Sequence, residues 1–248
     1  MLRHTTRDLD FLTRQPFAHR GLHGAKAVPE NSRAAFERAI AAGYGIELDV
    51  QLTKDKDAVV FHDTELPRLV NAGGRISDLT TGELAAFRLC GTDEPIRTLR
   101  EVLSEIGGRV PTLVEVKSPG RRGYGSLCRA VRRALEGSNG WTAVMSFDPR
   151  IVRWFREHSP QTVRGLVVTK DGSGNAGLRG WLSRNLAVRA TRPHFIACDI
   201  RALPSGFAER QRRKGRPVLT WTVRDDEERG RARAYADQII FEDTPDPA

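Results

Sequence analysis

Short apolar or β-branched runs alternate with helix-patterned stretches along almost the whole chain. The runs predict strands at Phe17–His19, Gly45–Val50, Thr112–Val116, Thr142–Ser146, Val163–Val168, Phe195–Cys198, Pro217–Thr222 and Gln238–Phe241. Helical patterning separates most of them. In NSRAAFERAIAAG, Asn31 or Ser32 caps the start, Ala35, Phe36, Ala39 and Ile40 form an apolar stripe, and Gly43 ends the helix. The same logic predicts helices at Ser126–Leu135, Pro149–His158, Pro204–Arg213 and Asp225–Tyr235. Eight strands in β-α alternation imply a parallel sheet, and eight is the number that closes a barrel. A doubly wound open sheet ranks second, because no G-x-G-x-x-G turn follows the first strand. One further strand-like piece, Ala58–His62, breaks the alternation and is expected as an irregular β excursion.

Composition agrees with this architecture. The 248 residues are 39% hydrophobic and 29% charged, which excludes disordered, collagenous and coiled-coil chains. No long linker or close repeat appears, so one domain over residues 1–248 is expected. Cys90, Cys128 and Cys198 form no C-x-x-C pair and read as reduced thiols. The N-terminal stretch lacks the apolar core of a signal peptide, and no apolar run approaches the ~20 residues of a membrane span. Both observations favour a cytoplasmic protein with no transmembrane segment.

The charge is less ordinary. The chain carries +9, with 18 basic against 17 acidic residues in 1–124 and 22 against 14 in 125–248. Such an excess suits an anionic partner, whether nucleic acid, an anionic membrane or a phosphate-bearing substrate.

Functional groups in a parallel barrel gather at the C-terminal ends of strands. The first strand ends in His19-Arg20-Gly21. In G-I-E-L-D-V, Glu47 and Asp49 are two apart and share one face, while Ile46, Leu48 and Val50 make the other face apolar. The acids therefore point into the barrel, where unpaired charge is costly. V-E-V-K repeats the device with Glu115 and Lys117 on one face. Three carboxylates from neighbouring strands offer an all-oxygen site that suits Mg²⁺ or Ca²⁺, and zinc is disfavoured for want of Cys or paired-His ligands. His62, in V-V-F-H-D, gains a functional reading only from this company.

HRG, PENS, AAF, IELDVQLTKD, AVVFHDTELPRL and TLVEVKS, in that order across residues 17–118, resemble the glycerophosphodiester phosphodiesterase family. A weaker echo continues through MSFDP, LTWTV and ADQIIFED. The resemblance implies a distorted (β/α)8 TIM barrel of the α/β class and metal-dependent hydrolysis of small glycerophosphodiesters to glycerol 3-phosphate and an alcohol. It implies that His19 and His62 are the acid–base pair, that Glu47, Asp49 and Glu115 hold one divalent metal ion, Mg²⁺ or Ca²⁺, and that Arg20 grips the phosphate. Which imidazole is acid and which is base stays open, with His19 favoured as the acid, and so does whether water or the substrate's own hydroxyl attacks. Lys117 matches the family's strand-three lysine and is expected either to contact phosphate or hold Glu115 or to form a structural ion pair, and Trp221 matches the family's Trp-Thr-Val and is expected to wall the pocket. The stretch of roughly residues 63–97, an insertion after the second strand, is expected as a small cap.

Two departures stand out. Arg224 occupies the position where the family usually has Asn after Trp-Thr-Val, and Gln238-Ile239-Ile240-Phe241-Glu242 replaces Gly-Ile-Ile-Thr-Asp. Both bear on specificity for the alcohol. Arg121-Arg122 could sit on the rim of the active face, Asp171–Gly177 reads as a flexible loop, and the Arg210, Arg212, Arg213, Lys214, Arg216 cluster reads as solvated helix-end cations. The alternatives are a lysophospholipase D-like enzyme with peripheral membrane contact and a non-catalytic nucleic-acid-binding barrel. Charge is the only support for the latter, so no nucleic-acid partner is expected, and the chain is read as a monomer or homodimer.

Overall fold

The period-two alternation of the strands sets the architecture. A computed structural model describes residues 6–24, 28–120, 123–169 and 178–242, with side chains described except at 6–8 and 178–183. Strands β1 (Phe17–Ala18), β2 (Gly45–Leu52), β4 (Thr112–Val116), β5 (Thr142–Ser146), β6 (Val163–Val168), β7 (Phe195–Asp199), β8 (Val218–Val223) and β9 (Gln238–Phe241) pair in parallel in the order β1-β9-β8-β7-β6-β5-β4-β2. Pairing of Phe17 with Gly45 and with Ile240 closes the ring. The eight-stranded barrel expected from the alternation is thus present. The excursion is β3 (Ala58–Val60), antiparallel to Val50–Leu52 at the end of β2. It stops two residues short of His62.

Helices α1 (Arg33–Ala41), α3 (Leu99–Ile106), α4 (Tyr124–Glu136), α5 (Pro149–His158), α6 (Leu178–Thr191), α7 (Gly206–Arg213) and α8 (Asp226–Tyr235) fall between strands. α3 and α6 add to the helices expected from patterning. Capping explains the starts: Ser32 accepts from the Ala35 N–H, Ser205 from Ala208 and Asp225 from Glu228. α3 opens with a full capping box, Thr98 with Glu101, and ends at Gly107 in the left-handed region. Between β3 and α3, a short helix α2 (Thr81–Leu84) and isolated bridges enclose a separate apolar cluster of Phe61, Leu66, Val70, Ile76 and Leu84.

Each barrel strand divides its side chains between two layers. Ile46, Leu48, Val50, Val114, Val116, Ile196 and Cys198 face outwards into the core shared with the helices. Phe17, Leu113, Met145, Val163, Phe195, Leu219 and Ile240 fill the barrel interior, joined by Phe11 and Leu12 from a 3₁₀ turn, Thr6–Leu12. Two glycines make room for the interior rings. A Cβ on Gly45 would lie 2.5 Å from the Phe17 ring, and one on Gly165 would lie 2.3 Å from the Phe195 ring. The three cysteines are free, and among the described residues no helix is long and apolar enough to cross a membrane.

Gly165→Ala should therefore destabilise the fold by about 1–3 kcal/mol through overpacking. Phe195→Ala should cost about 3–5 kcal/mol through the cavity it leaves. Urea unfolding measures both, and an unchanged midpoint for Gly165→Ala would show that the Phe195 ring is not pinned there.

Candidate active site

Parity on β2 and β4 carries Glu47, Asp49 and Glu115 into the upper barrel, where Asp49 and Glu115 are register partners. All three are buried, and each offers an oxygen within 4.8 Å of the others. Two cations answer them. Lys117 Nζ lies 2.5 Å from Glu115 Oε1 and 2.8 Å from Asp49 Oδ1, and Arg20 Nε lies 3.2 Å from Asp49 Oδ2. The Arg20 backbone N–H donates to Glu47 Oε2 at 3.1 Å. The Asn31 amide donates to Asp49 Oδ2 at 3.1 Å.

These charges do not balance, and the imbalance falls on Glu47. Burial opposes ionisation of Asp49, but Lys117 and Arg20 outweigh it and hold its pKa well below the ordinary carboxylate value. Burial, with Asp49 and then Glu115 adding like charge, pushes Glu47 well above its ordinary value. Burial likewise raises Glu115. Glu47 Oε1 is buried with no hydrogen-bond partner among the described residues. A surplus of hard oxygen donors, with Glu47 Oε1 unbonded and Asp49 Oδ1 answered only by the Lys117 charge, suits a divalent cation such as Mg²⁺ or Ca²⁺.

Local backbone chemistry delivers these groups. Arg20 and Asn31 both take left-handed conformations, with φ of 56° and 57°. Such values are uncommon outside glycine and recur at functional sites. Gly21 lets the turn touch α1, since a Cβ there would lie 2.8 Å from Ala35 Cβ. Of the two expected caps, Ser32 takes the capping role and Asn31 turns to Asp49 instead.

Two imidazoles face the acids. His19 Nδ1 is 2.6 Å from Glu242 Oε1, and its Nε2 is 3.9 Å from Glu47 Oε2. His62 Nδ1 is 2.6 Å from Asp63 Oδ1. A carboxylate on Nδ1 fixes each ring and leaves Nε2 as the working nitrogen. Burial lowers the His62 pKa, against the pull of Asp49. Burial resists ionisation of Glu242, but His19 and Arg224 outweigh it and bring its pKa down to about 2. His19, His23 and Glu242 also fall within 4.8 Å of one another. Because His19 and Glu242 bond each other directly, that trio reads as a hydrogen-bond network.

His19, Arg20, His62, Glu115, Lys117 and Trp221 line one cavity of about 380 Å³, with Glu47 and Asp49 adjoining through Glu115. The residues singled out from sequence are thus brought together. Trp221 donates its indole N–H to the Ala197 carbonyl at 3.2 Å and meets Phe147 edge-on, ring centroids 5.3 Å apart. A larger groove between α6 and α7, about 820 Å³, holds none of these residues and is lined by Arg210, Lys214 and Arg216 of the basic cluster. Arg121-Arg122 and Asp171–Gly177 lie outside the described residues.

Sequence reasoning missed several supporting groups. Glu30 accepts from Arg20 at 2.9 Å and from Arg68 at 2.6 Å, and Arg68 also donates to Asp63 at 2.5 Å. Glu30 and Asn31 sit inside the PENS motif and Asp63 follows His62, so their positions were visible although their roles were not. Phe147 lies in MSFDP. Glu242 had only its place in an altered motif to mark it.

The sequence matches the model of the glycerophosphoryl diester phosphodiesterase family over residues 19–247. A glycerophosphodiester phosphodiesterase of Caldanaerobacter subterraneus subsp. tengcongensis is 33% identical over 237 residues, covering 91% of this chain and 93% of that one. Among solved structures, an Oleispira antarctica phosphodiesterase in complex with the product sn-glycerol-3-phosphate superposes with a TM-score of 0.81 at 22% identity, over 94% of each chain. A glycerophosphodiester phosphodiesterase from Thermotoga maritima superposes at 0.73 with 27% identity, over 92% of this chain and 94% of that one.

The raised pKa of Glu47 has a sign that can be tested. Its contribution to the stability of the metal-free fold is complete below its unfolded pKa and is lost as pH rises through the raised folded value. At pH 8 with chelator, Glu47→Gln should therefore melt above the wild type, by on the order of 1 kcal/mol. The variant should also lose most of the increase in Tm that Mg²⁺ or Ca²⁺ gives the wild type. A wild-type Tm indifferent to both cations would refute the metal reading.

Proposed function

Because the chain belongs to the glycerophosphoryl diester phosphodiesterase family, we propose that it hydrolyses water-soluble glycerophosphodiesters to glycerol 3-phosphate and an alcohol. Glu47, Asp49 and Glu115 would hold one divalent cation, Mg²⁺ or Ca²⁺, and His19 and His62 are the acid–base pair. The carrying observation is the orphaned Glu47 Oε1 among three buried carboxylates, beside a cavity that two carboxylate-held imidazoles share. Glycerol 3-phosphate in the Oleispira protein supports the choice of product.

When bound, the cation would neutralise charge on the phosphate's non-bridging oxygens and acidify a nearby water. The chain's own groups do the rest. Arg20, held by Glu30 and Asp49, presents a planar fork to phosphate, and Lys117 adds a point charge from the facing strand. His62, kept neutral near pH 7 by burial, takes a proton from water at Nε2 as the water oxygen bonds to phosphorus. His19, aimed by Glu242, gives its Nε2 proton to the alcohol oxygen as the P–O bond breaks. Trp221 and Phe147 wall the pocket against the glycerol carbons. We take residues 1–248 as one catalytic domain with residues 63–97 as its cap, since Arg68 of that stretch ties Asp63 to Glu30.

In a metal-by-substrate screen, chelation should abolish release of glycerol 3-phosphate, and Mg²⁺ or Ca²⁺ should restore it. His19→Ala and His62→Ala should each lower kcat by about 10²–10⁴-fold while remaining folded by circular dichroism. Full activity in either variant would remove the acid–base assignment. A preference for lysophospholipid on anionic vesicles would instead favour a lysophospholipase D-like enzyme.

A further inference from the structure

One wall of the cavity is built by β7 and β8, whose residues Asp199 and Trp221 are register partners. Just beyond them the chain places Arg201 and Arg224 on the cavity wall. Arg201 donates through Nε and Nη2 to Asp199, at 3.0 and 2.7 Å. Arg224 donates through Nε to Glu242 at 2.7 Å. In both pairs the carboxylate lies beneath the arginine. The Asp199 side chain is 2% exposed under an Arg201 at 62%, and Glu242 is 20% exposed under an Arg224 at 51%. Glu228 shares this wall, with its carboxylate bonded to the Arg224 backbone N–H at 2.8 Å.

We propose that Arg201 and Arg224 form a cationic grip for an anionic group, above all a second phosphodiester, on the alcohol half of the substrate. The enzyme then favours diesters whose leaving alcohol carries negative charge. This rests on the phosphodiesterase reading with His19 as the acid. Glu242 bridges His19 and Arg224, so Arg224 stands beside the imidazole that protonates the leaving oxygen. Guanidiniums already held from behind by carboxylates lose little freedom on binding and suit the planar geometry of phosphate oxygens. A cationic alcohol such as choline meets the two exposed guanidiniums there before the carboxylates beneath them. The competing feature is the Phe147–Trp221 pair, whose rings would attract a quaternary ammonium.

The test measures kcat/KM, per cleavable end and at low ionic strength, for bis(glycerophospho)glycerol, glycerophosphoglycerol and glycerophosphocholine. Wild type should prefer the first to the last by about tenfold or more, with the neutral alcohol between them. Arg201→Gln and Arg224→Gln should each cut that ratio by about tenfold, chiefly through KM for the anionic substrate, and Arg201→Lys should keep only part of it, because it keeps the charge and loses the planar fork. Equal use of all three substrates by the wild type, or a choline preference, would overturn the grip and leave the phosphodiesterase reading standing. So would an unchanged ratio in both glutamine variants. Hydrolysis of none of the three with either cation would overturn that reading and the grip with it.

Discussion

Three carboxylates sit inside the barrel with, among the described residues, only the cations Lys117 and Arg20 to answer them, and the rest of the site is arranged around that shortfall. Lys117 and Arg20 both engage Asp49, which leaves Glu47 with an oxygen that no described residue bonds. Burying unpaired like charges destabilises a fold unless a ligand brings compensating charge. The interior rings of Phe17 and Phe195 and the outer helical core supply the stability that tolerates such a feature. The same deficit that strains the chain is what a divalent cation would relieve, so in the proposed function stability and activity pull on Glu47 in opposite directions.

Charge pairing also ties together parts of the chain that share no strand. Asp49, Arg20, Glu30, Arg68, Asp63 and His62 form a continuous run of ion pairs and hydrogen bonds from β2 to the stretch after β3. On the other side, Arg224, Glu242 and His19 form a shorter run that crosses the barrel seam. Each imidazole is thereby held at Nδ1 by a carboxylate that an arginine holds in turn. Loss of Arg68 or Arg224 acts on a histidine that neither of them touches in these contacts.

The basic excess looks different once partners are assigned. In the near-neutral half, Arg20, Arg68 and Lys117 are committed to carboxylates at the site. In the +8 half, Arg201 and Arg224 cover their own carboxylates at the cavity, while Arg210, Lys214 and Arg216 line a groove that holds none of the site residues. Net charge alone could not separate these uses, because it counts cations without saying which carboxylate lies beneath each.

How much of this was legible depends on the range of the interaction. Strand faces were, because alternation is a property of the extended backbone itself: the apolar Ile46, Leu48 and Val50 obliged Glu47 and Asp49 to point inwards. The helices Gly206–Arg213 and Asp226–Tyr235 were equally local, although patterning counts their caps Ser205 and Asp225 as helical, and the ordered motifs from HRG to TLVEVKS carried the family. The two candidates Asn31 and Ser32 could not be separated from sequence, because only the packed structure shows Asp49 drawing Asn31 away. Glu242 meets His19 across 223 residues, and Arg68 reaches Glu30 across 38. Those partners were decided by closure of the barrel, which sets the end of β9 beside β1, and by the fold of the segment after β3. The sequence by itself determined which faces are apolar and which polar residues meet at one end of the barrel. The tertiary structure decided which charge answers which, since that choice depends on distances that exist only once the ring has closed.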